Sequence, residues 1–291
     1  MKSSLIKLHV AVFLWGFTGV LGRLISLNEG LLVWYRLLIT IISLFFLLWH
    51  QNMLHKVSFK TLIKFFGVGA IIAFHWVCFY GSIKYANISI ALVCLSSAGL
   101  FTAILEPVAM KSAVNAIEIL LGLIAIIGIY LIFHFDSRYR TGIVVGLIAS
   151  FLSVLFTILN KKIVKANFNP TIIMLYELTG GWLVLTLVMP LYLYLFPTKN
   201  IIPSFQDMGW LILLSWFCTI LAMNLSLQAL RKVSAFTQNL TLNLEPVYGI
   251  VLAFIVYKEN KFLGEWFYYG FVLIIVAVVM QTFRIIKYKR V

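Results

Sequence analysis

Ten apolar runs of about 18–25 residues follow one another along this 291-residue chain, and they limit its fold more than any other feature. Each run is long enough to cross the hydrocarbon core of a bilayer as an α-helix, whereas barrel strands are shorter and alternate in polarity. The connections between the runs are short, so a functional site must lie in or beside the membrane. The runs are approximately 8–26, 30–49, 62–83, 87–110, 116–135, 142–163, 171–195, 208–229, 234–257 and 263–284.

The composition excludes the soluble protein classes. Hydrophobic residues make up 63% of the chain and charged residues 11%, and nine acidic residues cannot solvate a globule of this size. A soluble enzyme, a secreted disulfide scaffold and a disordered chain are therefore excluded. The three cysteines lie in apolar runs, far apart and without a CxxC pair, which indicates small buried side chains rather than disulfides or metal ligands. The sequence predicts an all-α polytopic membrane protein.

Basic residues predict the orientation. The net charge is +14, but the Lys and Arg residues mostly stand between apolar runs, where they act as topology signals rather than as a nucleic-acid site. With a cytoplasmic N-terminus, 15 of the 23 Lys and Arg residues fall inside, 7 fall outside and Arg36 lies within a run. We therefore expect both termini in the cytoplasm. Lys2 and Lys7 precede the first run without a small-residue cleavage site, so we expect that run to be an uncleaved span.

The chain repeats itself at a spacing of about 140 residues. The tetrapeptide Leu-Glu-Pro-Val occurs at 105–108 and again at 244–247, and two weaker echoes occur in the same order. Each copy then holds five runs, and because five is odd, the second copy enters the membrane from the opposite side. Such inverted repeats are typical of secondary transporters. The predicted repeats are 1–139 and 140–291, which together give ten transmembrane helices in a 5+5 arrangement.

Short motifs at matching places strengthen this prediction. They are Trp15-Gly16 in the first run, Tyr35-Arg36 in the second, a proline late in the fourth and ninth, and the closing stretch from Tyr257-Lys258-Glu259 through Gly264 and Gly270 to Val276-Ala277. Together they resemble the drug/metabolite transporter superfamily and, within it, the EamA-type ten-span transporters. The connection 110–117 departs from this pattern, since it is shorter than its second-half counterpart.

The resemblance implies a fold and a substrate class. It implies a helical bundle in which the fifth and tenth runs are peripheral and the others line a central cavity. It also implies a transporter of small organic metabolites, with amino acids and related amphipathic molecules as substrates.

Glutamates within the runs are candidate proton-coupling residues. A charged side chain at mid-membrane costs about 2.5–3.5 kcal/mol on insertion scales, so its presence needs a reason. Glu245 and Glu106 each precede a proline, which kinks a helix and frees a carbonyl group. Each carboxyl group either faces the cavity, where it carries a proton or meets a cationic part of the substrate, or stabilises the kink between helices. Gln238 lies seven residues before Glu245 on the same helix face and is a candidate substrate-binding residue.

A second polar stripe in the ninth run lies on a different face from Gln238. It consists of Asn239 and Asn243, four residues apart. One stripe is expected to face the cavity and the other a neighbouring helix, and the sequence does not distinguish between them.

Arg36 and Glu177 occupy matched positions of the two repeats and carry opposite charges. An ion pair between them would neutralise both within the membrane. Alternatively, Arg36 binds a carboxylate or phosphate of the substrate, for which its planar fork is suited, or extends its guanidinium to the membrane interface. Glu177 is a third proton-coupling candidate.

Aromatic and polar side chains complete the predicted substrate site. Trp15 and Tyr35 are expected to form aromatic walls, and His75 with Tyr80 lies one helical turn apart on the third run. Asn224 needs a hydrogen-bond partner in a dry environment, either a ligand or another helix. For His75 the alternative is a hydrogen-bonded core residue, and tryptophan is also common at membrane interfaces.

The absent motifs narrow the function. There is no HExxH, no GxSxG and no Walker A loop, so we expect neither an enzyme nor ATP-driven transport, and we expect no cofactor and no metal. We expect a secondary transporter in a bacterial cytoplasmic (inner) membrane that moves a metabolite outward, coupled to protons. A facilitative uniporter, a lipid or other-solute flippase, a channel and a non-transporting scaffold remain as alternatives. The expected partners are a small-molecule metabolite and the lipid bilayer, without nucleic acid, and a monomer suffices to complete the bundle.

Overall fold

A computed structural model shows that the chain is built from helices. It describes residues 2–54, 56–111, 113–135, 137–164, 168–233, 235–242 and 244–288, and these ranges contain no β-strand. Inside a bilayer, helices satisfy every backbone hydrogen bond within one segment, which explains why an apolar chain of this kind adopts them. The prediction of an all-α fold is confirmed.

The α-helices are numbered in chain order. They are α1 (Lys2–Gly16), α2 (Thr18–Leu24), α3 (Glu29–His50), α4 (Phe59–Tyr85), α5 (Ile88–Leu95), α6 (Ala98–Met110), α7 (Ala116–Phe135), α8 (Arg140–Val164), α9 (Pro170–Leu195), α10 (Phe205–Ser215), α11 (Ala222–Leu230), α12 (Ala235–Leu242), α13 (Leu244–Tyr257) and α14 (Glu265–Tyr288). A π-helical turn, Trp216–Leu221, joins α10 to α11, and short 3-10 turns cover Ser137–Tyr139 and Glu259–Lys261.

Seven helical segments within the described residues are long and apolar enough to cross a membrane. They are Ser3–Leu24, Glu29–His50, Phe59–Tyr85, Ile88–Met110, Ser137–Val164, Pro170–Leu195 and Phe205–Leu230. Three shorter apolar helices, Ala116–Ile132, Leu244–Tyr257 and Glu265–Ala277, fall at the places of the fifth, ninth and tenth predicted runs. The ten crossings and the cytoplasmic termini stay predictions.

Three of the predicted runs are interrupted rather than continuous. Phe17 separates α1 from α2, Ser96 and Ser97 separate α5 from α6, and the π-helical turn interrupts the eighth run. At the second break the Oγ of Ser97 donates to the carbonyl of Cys94 and to the Oγ of Ser150 in α8. Serine side chains thus compete with the backbone hydrogen bonds of the helix, and a hydropathy profile does not detect such a break.

Side chains cap many of the helices, which explains where these helices begin. An Asn or Ser oxygen accepts a hydrogen bond from a backbone N–H in the first turn and so satisfies one of the donors that a helix start leaves free. The capping residues are Asn28 for α3, Ser58 for α4, Asn87 for α5, Asn169 for α9 and Ser204 for α10.

Helices α4 and α9 cross with almost no space between their backbones. A Cβ atom at Gly69 would collide with the carbonyl oxygen of Glu177 and would lie 2.9 Å from the amide nitrogen of Gly181. A Cβ atom at Gly180 would lie 2.4 Å from the Cα atom of Phe66. Small residues permit such close approach between membrane helices. Because no hydrophobic force drives helices together inside a bilayer, this close packing stabilises the contact instead. This crossing joins the first half of the chain to the second.

We predict that Gly69→Ala destabilises the protein by about 1–3 kcal/mol, because the colliding atom belongs to a backbone that cannot move aside. Gly67→Ala is the matched control, since a Cβ at Gly67 in the same helix meets nothing within 4 Å. The measurement is thermal unfolding of both purified variants in detergent. Equal melting temperatures would contradict the tight crossing.

Candidate functional site

A cavity lies between the two halves of the chain. Its volume is about 940 Å³, including its open mouth. Its walls come from α1–α6 in the first half, and from α8, the π-helical turn and α11–α13 in the second half. Among the described residues, α7, α9 and α14 contribute none of its lining. The expectation that the fifth and tenth runs are peripheral agrees with this, whereas the expectation that the seventh run lines the cavity is wrong.

The cavity wall combines aromatic surface with a few polar groups. The aromatic side chains are Trp15, Trp76, Phe79 and Phe156, and the ring of His75 stands 5.4 Å from that of Phe156. The polar and charged lining residues are Thr18, Arg36, His75, Ser153, Thr157, Asn160, Cys218, Ser226, Gln238 and Glu245. A mostly apolar pocket with a few placed polar groups is typical of sites for small organic molecules.

Arg36 is the best-anchored polar residue of the cavity. Its Nε donates to the Oγ1 of Thr219 at 2.9 Å, and its Nη1 donates to the Oη of Tyr80 at 2.8 Å. Its guanidinium carbon lies 3.8 Å from the ring centroid of Trp76, which places the cation over an aromatic face. Only 1% of Arg36 is exposed, so the guanidinium does not extend to the membrane interface and that alternative is wrong.

The π-helical turn supplies a further anchor for this arginine. The backbone N–H of Ala222 donates to the carbonyl of Phe217, five residues back. The carbonyl of Cys218 in the same turn accepts the Nε1 of Trp15 at 3.0 Å and the Nη2 of Arg36 at 3.4 Å. Turns of this kind occur frequently at functional sites. Here the turn brings side chains of the first half onto the backbone of the second.

The charge of Arg36 has no carboxylate partner among the described residues. The predicted ion pair with Glu177 does not form. Glu177 is fully buried behind the cavity wall, where its Oε2 accepts a hydrogen bond from the Nδ2 of Asn160 at 3.4 Å and its Oε1 has no partner. The two residues share matched positions in the sequence, but α3 presents Arg36 to the cavity whereas α9 turns Glu177 towards α8.

Glu245 and Gln238 both line the cavity, as the sequence predicts. Glu245 is buried near the start of α13, and Arg36 is the charged side chain that acts on it electrostatically. Gln238 is 4% exposed, and its Oε1 has no hydrogen-bond partner. The first polar stripe of the ninth run therefore faces the cavity. Of the second stripe, Asn243 and the side chain of Asn239 lie outside the described residues.

His75 lines the cavity and is also anchored to a neighbouring helix. Its Nδ1 lies 2.8 Å from the carbonyl oxygen of Ala149 in α8, which holds the imidazole ring in place. Asn160 lines the same cavity four residues before α8 ends, and its Oδ1 has no hydrogen-bond partner. The residue thus stands between the cavity and the carboxyl group of Glu177.

Besides Glu177, four predicted site residues lie outside the cavity lining. Tyr80 is buried behind Arg36 and accepts its hydrogen bond, so it positions the guanidinium. The ring of Tyr35 packs edge-on against Trp34, with centroids 4.9 Å apart. Asn224 donates to the Oγ1 of Thr171, which joins α11 to α9. Glu106 is half-buried in α6 and does not contribute to the lining.

Sequence reasoning missed several residues of this cavity. No sequence signal marks Trp76, Phe79, Phe156 or the Cys218 carbonyl as cavity groups. An aromatic side chain or a backbone carbonyl in an apolar run cannot be distinguished from one that only packs between helices. Asn160 has a weak signal, a polar side chain within an apolar run, but the following Lys161-Lys162 makes it look like the end of that run.

Carboxylates hold the loops together at one end of the bundle, which we call the carboxylate end and define by Glu29, Asp207 and Glu259. Glu259 pairs with Arg23, accepts the backbone N–H groups of Ile88 at 3.1 Å and Ser89 at 2.9 Å, and accepts the Oγ of Ser89 at 2.6 Å. A carboxylate at the N-terminus of α5 is stabilised by the free amide groups there.

The other two carboxylates of this end also bridge the halves. Asp207 accepts the backbone N–H and the Oγ of Ser26, each at 2.7 Å, and completes a capping box with Ser204. Glu29 accepts the Oη of Tyr192 at 2.7 Å. The carboxylate end therefore joins the first half to the second through Glu259 of the closing stretch and through Glu29 and Asp207, for which the sequence predicts no role.

Comparison with known proteins identifies two matched segments. The family model of the EamA-like transporter family matches residues 2–134 and again residues 140–283. No curated protein matches the sequence. One solved crystal structure is similar over 95% of this chain and 96% of its own, with a TM-score of 0.68 and 11% sequence identity, which is a likeness of fold alone.

We predict that Glu259→Gln destabilises the protein by about 1.5–3 kcal/mol, because charge-assisted hydrogen bonds to Arg23 and to the start of α5 are lost. Glu265→Gln is the matched control, since Glu265 is exposed at the start of α14. Thermal unfolding in detergent measures both variants. A Glu259→Gln variant that melts with the wild type would show that the carboxylate end contributes nothing to stability.

Proposed function

The chain belongs to the EamA-like transporter family, and on that premise we propose that it is a secondary transporter that moves small organic metabolites across the membrane by alternating access. The observation that carries the proposal is the cavity whose walls come from both matched segments and which holds Arg36 and Glu245. A site enclosed between two repeats can be exposed to either side when one repeat rocks against the other. Both halves must then contribute to substrate binding.

The finer features of the proposal follow from the sequence. Ten crossings in two inverted halves, 1–139 and 140–291, with both termini in the cytoplasm, are supported by the odd number of runs per repeat and by the excess of basic residues in alternate connections. The transporter acts in a bacterial inner membrane and moves amino acids or related metabolites outward. The aromatic walls around Trp15 and Trp76 support an amphipathic solute.

Proton coupling is assigned first to Glu245. It is the predicted glutamate that lines the cavity, where a proton and a solute can influence one another. Glu106 and Glu177 are less suited to direct coupling, because neither lies in the lining. The hydrogen bond between Glu177 and Asn160 still links its carboxyl group to the cavity wall.

The alternatives make different predictions for flux. A facilitative uniporter uses the same cavity without a proton, so its exchange ignores the pH gradient. A channel or flippase needs a continuous or lateral path and does not show counterflow of a soluble metabolite. The position of the cavity between the two matched segments favours a carrier, because alternating access uses a site enclosed between two repeats.

The test is counterflow in proteoliposomes that contain the purified chain. Vesicles are loaded with a mixture of unlabelled amino acids and related metabolites, and the uptake of a labelled member is followed with and without a pH gradient. A carrier gives saturable uptake that exceeds that of protein-free vesicles. Flux that rises linearly with concentration would indicate a channel, and uptake equal to that of empty vesicles would contradict transport of these metabolites.

We predict that Glu245→Gln removes the response of exchange to the pH gradient, because the amide cannot bind and release a proton. Glu265→Gln, at an exposed position, should keep that response. Both variants are measured by the counterflow assay at equal protein density. A Glu245→Gln variant that still follows the pH gradient would exclude this residue as the proton carrier.

A further inference from the structure

The guanidinium of Arg36 is buried with neutral partners only. Its three hydrogen bonds go to Thr219, Tyr80 and the carbonyl of Cys218, and its face stacks on Trp76. None of these groups carries a negative charge when Tyr80 is in its phenol form. A buried cation without a directly paired anion is costly, and proteins usually pair it or use it as a binding site.

The same guanidinium keeps donors available for a ligand. An arginine side chain offers five N–H donors, and the three bonds above use one on each nitrogen. One N–H on each terminal nitrogen therefore remains, and Arg36 borders the cavity. Two terminal N–H groups in a fixed plane match the two oxygens of a carboxylate.

The rest of the wall favours a carboxylate over a phosphate. Arg36 is the permanently charged cation of the lining within the described residues, and the Nδ1 of His75 is engaged with the Ala149 carbonyl. A doubly charged phosphate would be left half neutralised in an apolar enclosure, whereas a carboxylate carries a single charge. The aromatic wall suits the apolar body of such a molecule.

Glu245 borders the same cavity and senses the same cation. When no solute is bound, an ionised Glu245 offsets the charge of Arg36. A bound carboxylate brings a second negative charge to one positive charge, which favours protonation of Glu245. Because the linkage is reciprocal, a protonated Glu245 also strengthens binding of the carboxylate.

The other groups around Glu245 leave this linkage intact. Tyr80, buried behind Arg36, and Cys218, in the cavity wall, interact electrostatically with Glu245 and are neutral in their protonated forms, and His75 also lines the cavity. Helices α1, α2, α5 and α12 pack against α13, and none of the residues that they contribute to the cavity wall titrates: Trp15, Thr18, Leu95, Gln238 and Leu242. Arg36 is the charged group that dominates the site.

We infer that the transported solute is a small amphipathic carboxylate that Arg36 binds, and that it crosses the membrane together with a proton held on Glu245. This inference rests on the proposed transport function and specifies its substrate class and the sign of its coupling. Proton and solute then bind together and move in the same direction, as in symport. Outward movement of the solute is then driven by the solute's own gradient and carries a proton out with it. Exchange of a proton against the solute would require the two to compete, which suits a cationic substrate rather than an anionic one.

The test uses three probes with one skeleton, 3-phenylpropionate, 3-phenylpropionamide and 3-phenylpropylamine, which differ in the charge of the head group. Each is added to the purified full-length chain in detergent, and thermal unfolding is recorded. The carboxylate should raise the melting temperature, and the amide and the amine should not. A larger shift with the amide or the amine, or no shift with any probe, would overturn the inference.

Variants connect the effect to the arginine. Arg36→Gln should lose the shift caused by 3-phenylpropionate, and Arg36→Lys should keep part of it, because it retains the charge without the fork. Arg231→Gln, at an exposed arginine outside the cavity, is the matched control and should respond as the wild type does. If Arg36→Gln does not fold, the comparison of the three probes on the wild type still tests whether the site selects a carboxylate. A full shift in a folded Arg36→Gln variant would overturn the assignment.

The proton is measured directly with an indicator dye in weakly buffered solution at several pH values from about 7 to 9. Binding of 3-phenylpropionate should remove protons from solution, at most about one per bound molecule, and Glu245→Gln should abolish this uptake. Proton release, or binding without uptake by the wild type, would overturn the coupling. Binding and proton uptake are measured in detergent without transport, so their failure is distinguishable from a failure of counterflow.

Discussion

Polar groups inside a bilayer need partners within the protein, and this requirement organises the whole structure. Backbone groups meet it by forming helices. Where the helices are interrupted, side chains supply the partners: Ser97 does so at the break between α5 and α6. At the π-helical turn, Trp15 and Arg36 donate to the Cys218 carbonyl. All three interruptions border the cavity. Cys218 of the π-helical turn is a lining residue, Leu95 and Ala98 flank the break between α5 and α6, and Thr18 follows the break between α1 and α2.

The hydrogen bonds of Arg36 connect the two halves of the chain at the cavity. The donor lies in the first half, and both Thr219 and the Cys218 carbonyl lie in the second. The tight crossing of α4 and α9 and the three carboxylates of the carboxylate end join the same halves elsewhere. A solute that binds Arg36 therefore acts on a group whose position depends on both halves, which is the arrangement that alternating access requires.

The internal repeat is a good guide to the fold and a poor guide to the site. Glu106 and Glu245 stand in the same tetrapeptide, yet only Glu245 lines the cavity. Arg36 and Glu177 also stand at matched positions, yet the first borders the cavity and the second faces Asn160. Two copies of one ancestral pattern pack against different neighbours, so equivalent positions acquire different surroundings.

The sequence by itself determined the helical fold, the approximate places of the helices and the family, because hydropathy and short motifs are local properties of the chain. It also identified five residues of the cavity wall: Trp15, Arg36, His75, Gln238 and Glu245. Only the tertiary structure decided that Tyr80 positions Arg36 from behind, that Trp76 stacks on it and that Glu177 lies outside the cavity. The rotation of each helix about its axis sets these relations, and that rotation follows from contacts between residues 40 to more than 180 positions apart.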